Sequence, residues 1–321
     1  MTMNQIYNLA VEMAKKVDPR GSDLPKNPYP DSAILHTTNP SKTSLTVSEF
    51  KSLRASKHKS IKTILAGIDM DSAEILLAHF LKVDLAISHH PQGKALADLG
   101  KAIPLQADLM HSQIGVPINI AEGVLKKRIA EVKRQIAPIN HYQTIDMSKH
   151  SEVNFMCLHT VCDNLAWNFV ENKLKNLDPR KLPPTGKTIP GRQKPTIVKD
   201  VVNLLLTIPE YQEAKNRGAG PTIIAGSPQN RAGRVATTEF TGGTDGGKLI
   251  YPALANAGLG TIISMHMKEE SREEAEKNHI NVVCAGHIAS DSLGMNLFLD
   301  ELEKKGIEVI PTSGLIRVKR N

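Results

Sequence analysis

The chain has 321 residues, with 40% hydrophobic and 23% charged side chains, the composition of a soluble globular protein with room for one large or two medium domains. Aromatics, at 4%, are too sparse for the stacking platforms that grip single-stranded nucleic acid, and no stretch reaches the roughly 18 uninterrupted apolar residues of a membrane span. The formal charge of +7 is spread out, with small clusters at Lys126-Lys127-Arg128, Lys133-Arg134 and 317–320 that read as solvated helix faces and could attract phosphate-bearing ligands.

Residues 3–17 place Ile6, Leu9, Ala10 and Met13 at helical spacing and carry no secretory signal. Cys157, Cys162 and Cys284 make no disulfide framework, so the reducing cytosol is the expected compartment. From 19 to 60 the chain is rich in Pro, Ser, Thr and Lys and reads as irregular, with one short helix near 47–53. A β-α-β rhythm then begins: strand 61–68, helix 71–81, strand 83–88. Helical segments follow at 104–114 and 121–136, then a buried strand at 153–158 that leads into another helix.

The stretch 178–196 is dense in Pro, Gly and Lys and is the natural boundary, followed by helices at 197–206 and 209–216. The second half predicts strands at 221–225, 233–238, 260–264, 280–285 and 307–310, with helices at 246–257, 269–278 and 291–305. There is no short tandem repeat. The expected fold class is α/β: two lobes with mixed or mostly parallel sheets, one over 1–177 and one over 221–321, joined by a linker and helical connector at 178–220.

Ligand sites in open α/β sheets lie at the carboxyl ends of strands. Three predicted strands end in histidine here. The strand 83–88 runs into His89-His90, the strand 153–158 into His159-Thr-Val-Cys-Asp163, and the strand 280–285 into Gly286-His287-Ile-Ala-Ser-Asp291. In His-x-x-x-Asp the two side chains share one helix face, so imidazole and carboxylate can address one centre. Such donors suit zinc, iron, manganese or magnesium. Adjacent histidines at a strand end can serve two neighbouring ions, about 3.5–4 Å apart in two-metal sites, with Asp163 or Asp291 as the bridge. Each motif alone is weak, since hydrogen-bonded histidines are common at strand ends.

Taken in order, ISHHP at 87–91, HTVCD at 159–163 and AGHIASD at 285–291, with GRVATTEFTGGTDGGKL at 233–249, resemble the Ngg-one-interacting-factor-three-like family of dinuclear metal proteins, often called GTP cyclohydrolase I type 2 homologues. The resemblance runs from about 61 to 314 and is that of a divergent member. It implies two α/β lobes with the metal site in the cleft between them. It implies His89, His90, Asp163, His287 and Asp291 as ligands of two divalent ions (Zn, Fe or Mn), with Asp163 bridging. It places His159 beside them and implies a homo-oligomer, a toroidal hexamer. Three departures stand out. Asp291 replaces the family's usual Glu and is a methylene shorter, which suggests reach to one ion. His266 stands where a Thr-Gly-acid motif is usual, as an extra ligand, a base or a mere substitution. Gln92-Gly93-Lys94 replaces apolar residues.

Some motifs mislead. GGTDGGKL at 242–249 nearly matches a phosphate-binding loop, but Leu249 stands where the metal-binding hydroxyl belongs, which favours a simple glycine turn. Cys162 reads as a packing residue rather than a thiolate ligand. Asp71 reads as a helix cap, while Asp69 is a candidate for the cleft wall. The function expected is a metal-dependent hydrolase acting on a small anionic or nucleotide-like substrate, with His159 or His266 as the proton shuttle and Lys94 or Lys248 drawing the anion. The alternative is a non-enzymatic metal-binding regulatory or interaction protein. A nucleic-acid partner ranks last.

Overall fold

The computed structural model describes residues 1–38, 60–175 and 196–320. The short helix expected near 47–53, and the loop at 178–196 except its last residue, lie outside the described residues. The chain opens with α1 (Met3–Lys16), fixed by a reciprocal cap in which Thr2 Oγ1 accepts from Gln5 N at 3.3 Å and Gln5 Oε1 accepts from Thr2 N at 2.9 Å. Next come β1 (Ser32–His36), β2 (Thr63–Gly67), α2 (Ser72–Phe80) and β3 (Leu85–Ser88), the last three being the expected β-α-β unit. A helical stretch follows, with α3 (Gly93–Ala97), α4 (Leu105–Leu109), α5 (Ile118–Ile136) and α6 (Gln143–His150), and then β4 (Phe155–Leu158) and α7 (Thr160–Leu174). Beyond the undescribed segment lie α8 (Val198–Leu205), α9 (Pro209–Asn216), β5 (Thr222–Ala225), β6 (Arg234–Glu239) and α10 (Ile250–Asn256). The chain ends in β7 (Leu259–Ser264), α11 (Glu269–Lys277), β8 (Asn281–Cys284), α12 (His287–Glu303) and β9 (Glu308–Thr312).

The strands form two sheets, β1-β4-β3-β2-β9 and β5-β8-β7-β6. Each is parallel throughout except for one antiparallel edge strand, β1 on β4 and β5 on β8. Apart from β9 the two orders are the same. The expected class, two α/β units with mixed and mostly parallel sheets, is the observed one.

The sheets do not follow the 1–177 and 221–321 division. Strand β9 pairs with β2 and completes the first sheet. In return, α4 and α5 pack on the second sheet, where Ile103, Ala107, Leu125 and Val132 share a core with Tyr251, Leu259, Ile262 and Val282. Strand β1 falls in the stretch read as irregular, because its five residues sit at a sheet edge and four of them are only partly buried. An edge strand needs little apolar patterning, so it leaves little trace in the sequence.

Helices α7 and α12 form the layer between the sheets. Leu165 of α7 and Phe298 of α12 enter the core beneath the first sheet, while Val170 and Leu293 of the same helices join Ile263 and Val283 of the second. Helix α12 is buried around most of its girth, and its polar Ser290, Asp291, Ser292 and Asn296 are enclosed with its apolar residues. The two helices meet at Gly294, where an added Cβ would collide with the Cys162 carbonyl oxygen. That close approach sets the first turn of α7 against the N-terminal half of α12. Two side-chain ties also cross between the lobes: Thr241 Oγ1 donates to Asn164 Oδ1 at 2.7 Å, and Thr237 Oγ1 donates to Glu171.

Candidate metal centre

Strand β3 ends at Ser88, but its backbone keeps contact with the end of β2: His89 N donates to Gly67 O at 2.9 Å and His90 N to Ile68 O at 3.1 Å. Ser88 Oγ donates to His90 O at 2.7 Å and tightens the turn. The two imidazoles, 5.2 Å apart between ring centres, therefore leave the strand on different sides. His89 is wholly buried, while His90 borders the opening.

His159 caps α7 and Asp163 lies in its first turn. In the second lobe, α12 begins at His287 rather than near 291, because Gly286 takes φ +106° and swings the chain out of β8 directly into the helix. His287 and Asp291 thus lie one turn apart on one face, as the spacing required.

All five predicted ligands converge. His89 Nε2 lies 3.3 Å from Asp163 Oδ1 and 3.5 Å from Asp291 Oδ1. His90 Nε2 lies 3.4 Å from Asp291 Oδ2 and 3.3 Å from His287 Nε2, which is itself 3.3 Å from Asp291 Oδ2. Among the described residues the donors form groups whose ligand atoms lie within 4.8 Å of one another: His89 with Asp163 and Asp291, His90 with His287 and Asp291, and His89 with His90 and His159. Asp291 belongs to the first two. One of its oxygens faces each group.

The donor set fits a cation. Both ring nitrogens of His89, Oδ1 of Asp163 and both oxygens of Asp291 are buried without a hydrogen-bond partner. Groups of this kind left unpaired in an interior cost several kcal/mol in all, roughly 1–3 kcal/mol each, so they call for an unseen partner. The electrostatics agree. Burial alone depresses an imidazole, yet Asp291 and Asp163 hold the pKa of His89 well above its usual value. His90, likewise opposed by burial, is lifted to about 9 by Asp291 and Asp69. Asp291, despite burial, is held well below the carboxylate range by His89 and His90. The pocket demands positive charge beside its carboxylates, and a divalent ion supplies it with neutral imidazoles.

The surrounding contacts orient the donors. Asp69, exposed at the end of β2, pairs with His90 Nδ1 at 2.6 Å, so the cleft-wall candidate supports a candidate ligand. Asp71 is the cap of α2, with Glu74 completing the box. Cys162 is buried against Met295 Sδ at 3.5 Å and its thiol is pushed up by burial, which makes it a packing residue. His266 lies against His287 with ring centres 4.6 Å apart and the rings tilted by 55°, and it stands outside the three donor groups. Burial lowers the pKa of His266, and it lowers that of His287 to about 4, with the neighbouring histidines adding to the latter shift.

The glycine loop reads as a turn. Gln106 donates to Thr241 O at 3.2 Å and to Thr244 O, while Arg128 meets Asp245 at 2.6 Å beneath Gly247. Arg128 is therefore buried, not part of the solvated face that its neighbours Lys126 and Lys127 present. Sequence reading missed Asp31, which is fully buried just before β1 and meets His159 Nδ1 at 2.8 Å. Nothing in the surrounding sequence marked it, since SAILH at 32–36 shows no alternation. Among the described residues no helix is long and apolar enough to cross a membrane.

No protein-family model and no curated protein matches the sequence. Among solved structures, the NIF3 superfamily protein from Sphaerobacter thermophilus is 24% identical, with 98% of this chain and 99% of that one covered at a TM-score of 0.76. A Bacillus cereus protein related to NIF3 is 11% identical, with 100% and 98% covered at 0.47. Reduced HcgD from Methanocaldococcus jannaschii is 15% identical, with 79% and 84% covered at 0.44. Over nearly its whole length the chain has the fold of a NIF3 superfamily protein.

Proposed function

We propose that the protein is a dinuclear metal hydrolase. The observation that carries this is the pair of donor groups sharing Asp291, whose two oxygens face different sets of imidazoles. One ion would be held by His89, Asp163 and Asp291, the other by His90, His287 and Asp291. Asp163, the bridge that the family resemblance implied, faces only the His89 side, while Asp291, expected to reach one ion, faces both. The shorter carboxylate suffices because α12 approaches α7 closely at Gly294. Such ions, when bound, acidify a water near neutral pH and polarise the bond under attack.

The chain's own residues supply the rest. His90 and His287 border the opening, so substrate would enter on their side. His266, packed against His287, lines that approach and is a candidate for proton transfer to the leaving group. A small anionic substrate suits the ions themselves more than the lysines. Lys248 is already paired with Glu270 at 3.4 Å, which leaves exposed Lys94, four residues beyond His90, as the nearby cation in the sequence. The test is turnover by protein loaded with Zn, Mn or Fe against phosphoesters, cyclic amides and peptides. Hydrolysis that disappears with Asp291→Ala supports the reading. No turnover with any of them, from protein shown to hold metal, would favour the non-enzymatic metal-binding alternative.

We also infer a homo-oligomer, with a hexamer as the expected form. Leu76, Leu77, Phe80 and Leu81 form an apolar stripe on and just beyond α2, with Phe80 71% exposed, which supports a covered surface there. Sedimentation of the wild type and of Phe80→Glu tests it; a wild-type monomer would end it.

A further inference from the structure

His159 is held at two points and its neighbour Thr160 at a third, all in the segment where β1 begins. Its backbone N donates to Ser32 Oγ at 2.9 Å, its ring Nδ1 lies 2.8 Å from Asp31 Oδ2, and the next residue, Thr160, donates its hydroxyl to the same oxygen at 2.7 Å. A carboxylate only accepts hydrogen bonds, so the ring hydrogen sits on Nδ1. In the neutral ring Nε2 carries a lone pair, and it faces the candidate metal centre. It lies 3.9 Å from Asp163 Oδ2, too far for a hydrogen bond, and the ring centre is 5.0 Å from that of His89 and 5.7 Å from that of His90. Two acceptors facing each other across such a gap leave room for a proton-bearing group between them.

Among the described residues, the second lobe shows no such device. Its equivalent turn carries His287 and Asp291, but the residue before β5 is Pro221, which offers no side-chain acceptor. His287 meets Asp291 and His90 through Nε2. The support for His159 is thus particular to the first lobe and is not a by-product of the shared topology.

We propose that Asp31 is the positioning residue of the centre: it fixes the His159 hydrogen on Nδ1 and turns the Nε2 lone pair toward Asp163 and the His89-His90 pair as the proton acceptor. In the reaction, the attacking water loses a proton, the new N–H bond forms at Nε2, and the resulting imidazolium keeps its Nδ1–H on Asp31. This last role rests on the hydrolase reading; the tautomer does not.

The experiment is nitrogen NMR of the metal-free protein with 15N-labelled histidine, the His159 signals being assigned by their loss in His159→Gln. The result expected is hydrogen on Nδ1 and a bare Nε2 in the wild type, retained in Asp31→Asn, whose amide oxygen still accepts, and shifted toward Nε2–H in Asp31→Ala. Hydrogen on Nε2 in the wild type, or an unchanged tautomer in a folded Asp31→Ala, overturns the proposal. The wild-type spectrum decides even where Asp31→Ala fails to fold. Where turnover exists, Asp31→Ala lowers kcat about 10–100-fold with KM held, as for other residues that orient a group beside a metal site. A loss confined to KM contradicts the assigned role.

Discussion

The sheets β1-β4-β3-β2 and β5-β8-β7-β6 repeat one order, so their strand ends can be compared position by position. After β3 stand His89 and His90; after β7 stand Met265 and His266. After β4 come His159 and Asp163; after β8 come His287 and Asp291. After β2 lies Asp69, whereas β6 ends in Glu239. The candidate metal centre and the glycine loop treat their buried acids in opposite ways. At the metal centre Asp163 and Asp291 keep buried oxygens with no partner. Under the glycine loop, Glu239 accepts from Gly246 N at 2.9 Å and from Tyr251 OH at 3.0 Å, and Asp245 is closed by Arg128. The same residue types make a site where they are left open and scaffold where they are satisfied. The distinction lies in the partners, not in the kind of side chain.

The comparison breaks most readily at Asp291. Asp291→Ala should empty both halves of the centre, whereas Asp163→Ala should release the ion on the His89 side and leave the one on the His90 side. Elemental mass spectrometry of the two purified variants reads this directly, and equal losses would remove the special place given to Asp291.

On the scaffold side, Arg128→Ala leaves Asp245 buried without its cation and should cost about 3–5 kcal/mol in urea unfolding. Metal content of the folded fraction should hold, because Arg128 touches the loop and not the centre. Metal loss with unchanged stability would mean that the two clusters are not separate.

Gly294→Ala acts between these cases. Forcing a Cβ against the Cys162 backbone should cost roughly 1–3 kcal/mol as overpacking. It should also weaken metal binding, since the same contact sets the spacing of Asp163 and Asp291. Calorimetric titration with Zn would show it, and a variant with unchanged affinity would show that the helices set that spacing elsewhere.

The smallest effect is one of slope. Burial, with Asp245 nearby, raises the Glu239 carboxyl from 4.5 to about 7. Between those values the unfolded chain has released this proton while the folded chain still holds it. The contribution is therefore full below about pH 4.5 and is lost as pH rises through about 7. Glu239→Gln should flatten that part of the stability-pH curve relative to wild type. An identical slope in both proteins would mean that Glu239 is ionised in the fold.

Most of the parallel strands were legible because a strand buried on both faces is a short apolar run, as at β3 and β4. The convergence of the candidate ligands was legible because imidazole and carboxylate stood at the ends of those runs. What was hidden depends on tertiary contact. Strand β1 and Asp31 lie in a stretch whose composition reads as loop, and only the pairing of β1 with β4 brings them to His159. Helices α3 and α6 went unread for want of a clear periodic face. The exchange of β9 and α5 between lobes follows from chain crossing, which local pattern does not encode. The reach of Asp291 could not be judged from its length, because Gly294 sets how closely α12 lies against α7.

The measurement that bears most directly on the central claim is anomalous diffraction from crystals of the metal-loaded protein. The account predicts two peaks, about 3.5–4 Å apart, as in other two-metal sites. One should lie beside His89 and Asp163, the other beside His90 and His287, with one Asp291 oxygen directed at each. A single peak, or two peaks joined by Asp163 with Asp291 turned to one of them, would contradict it.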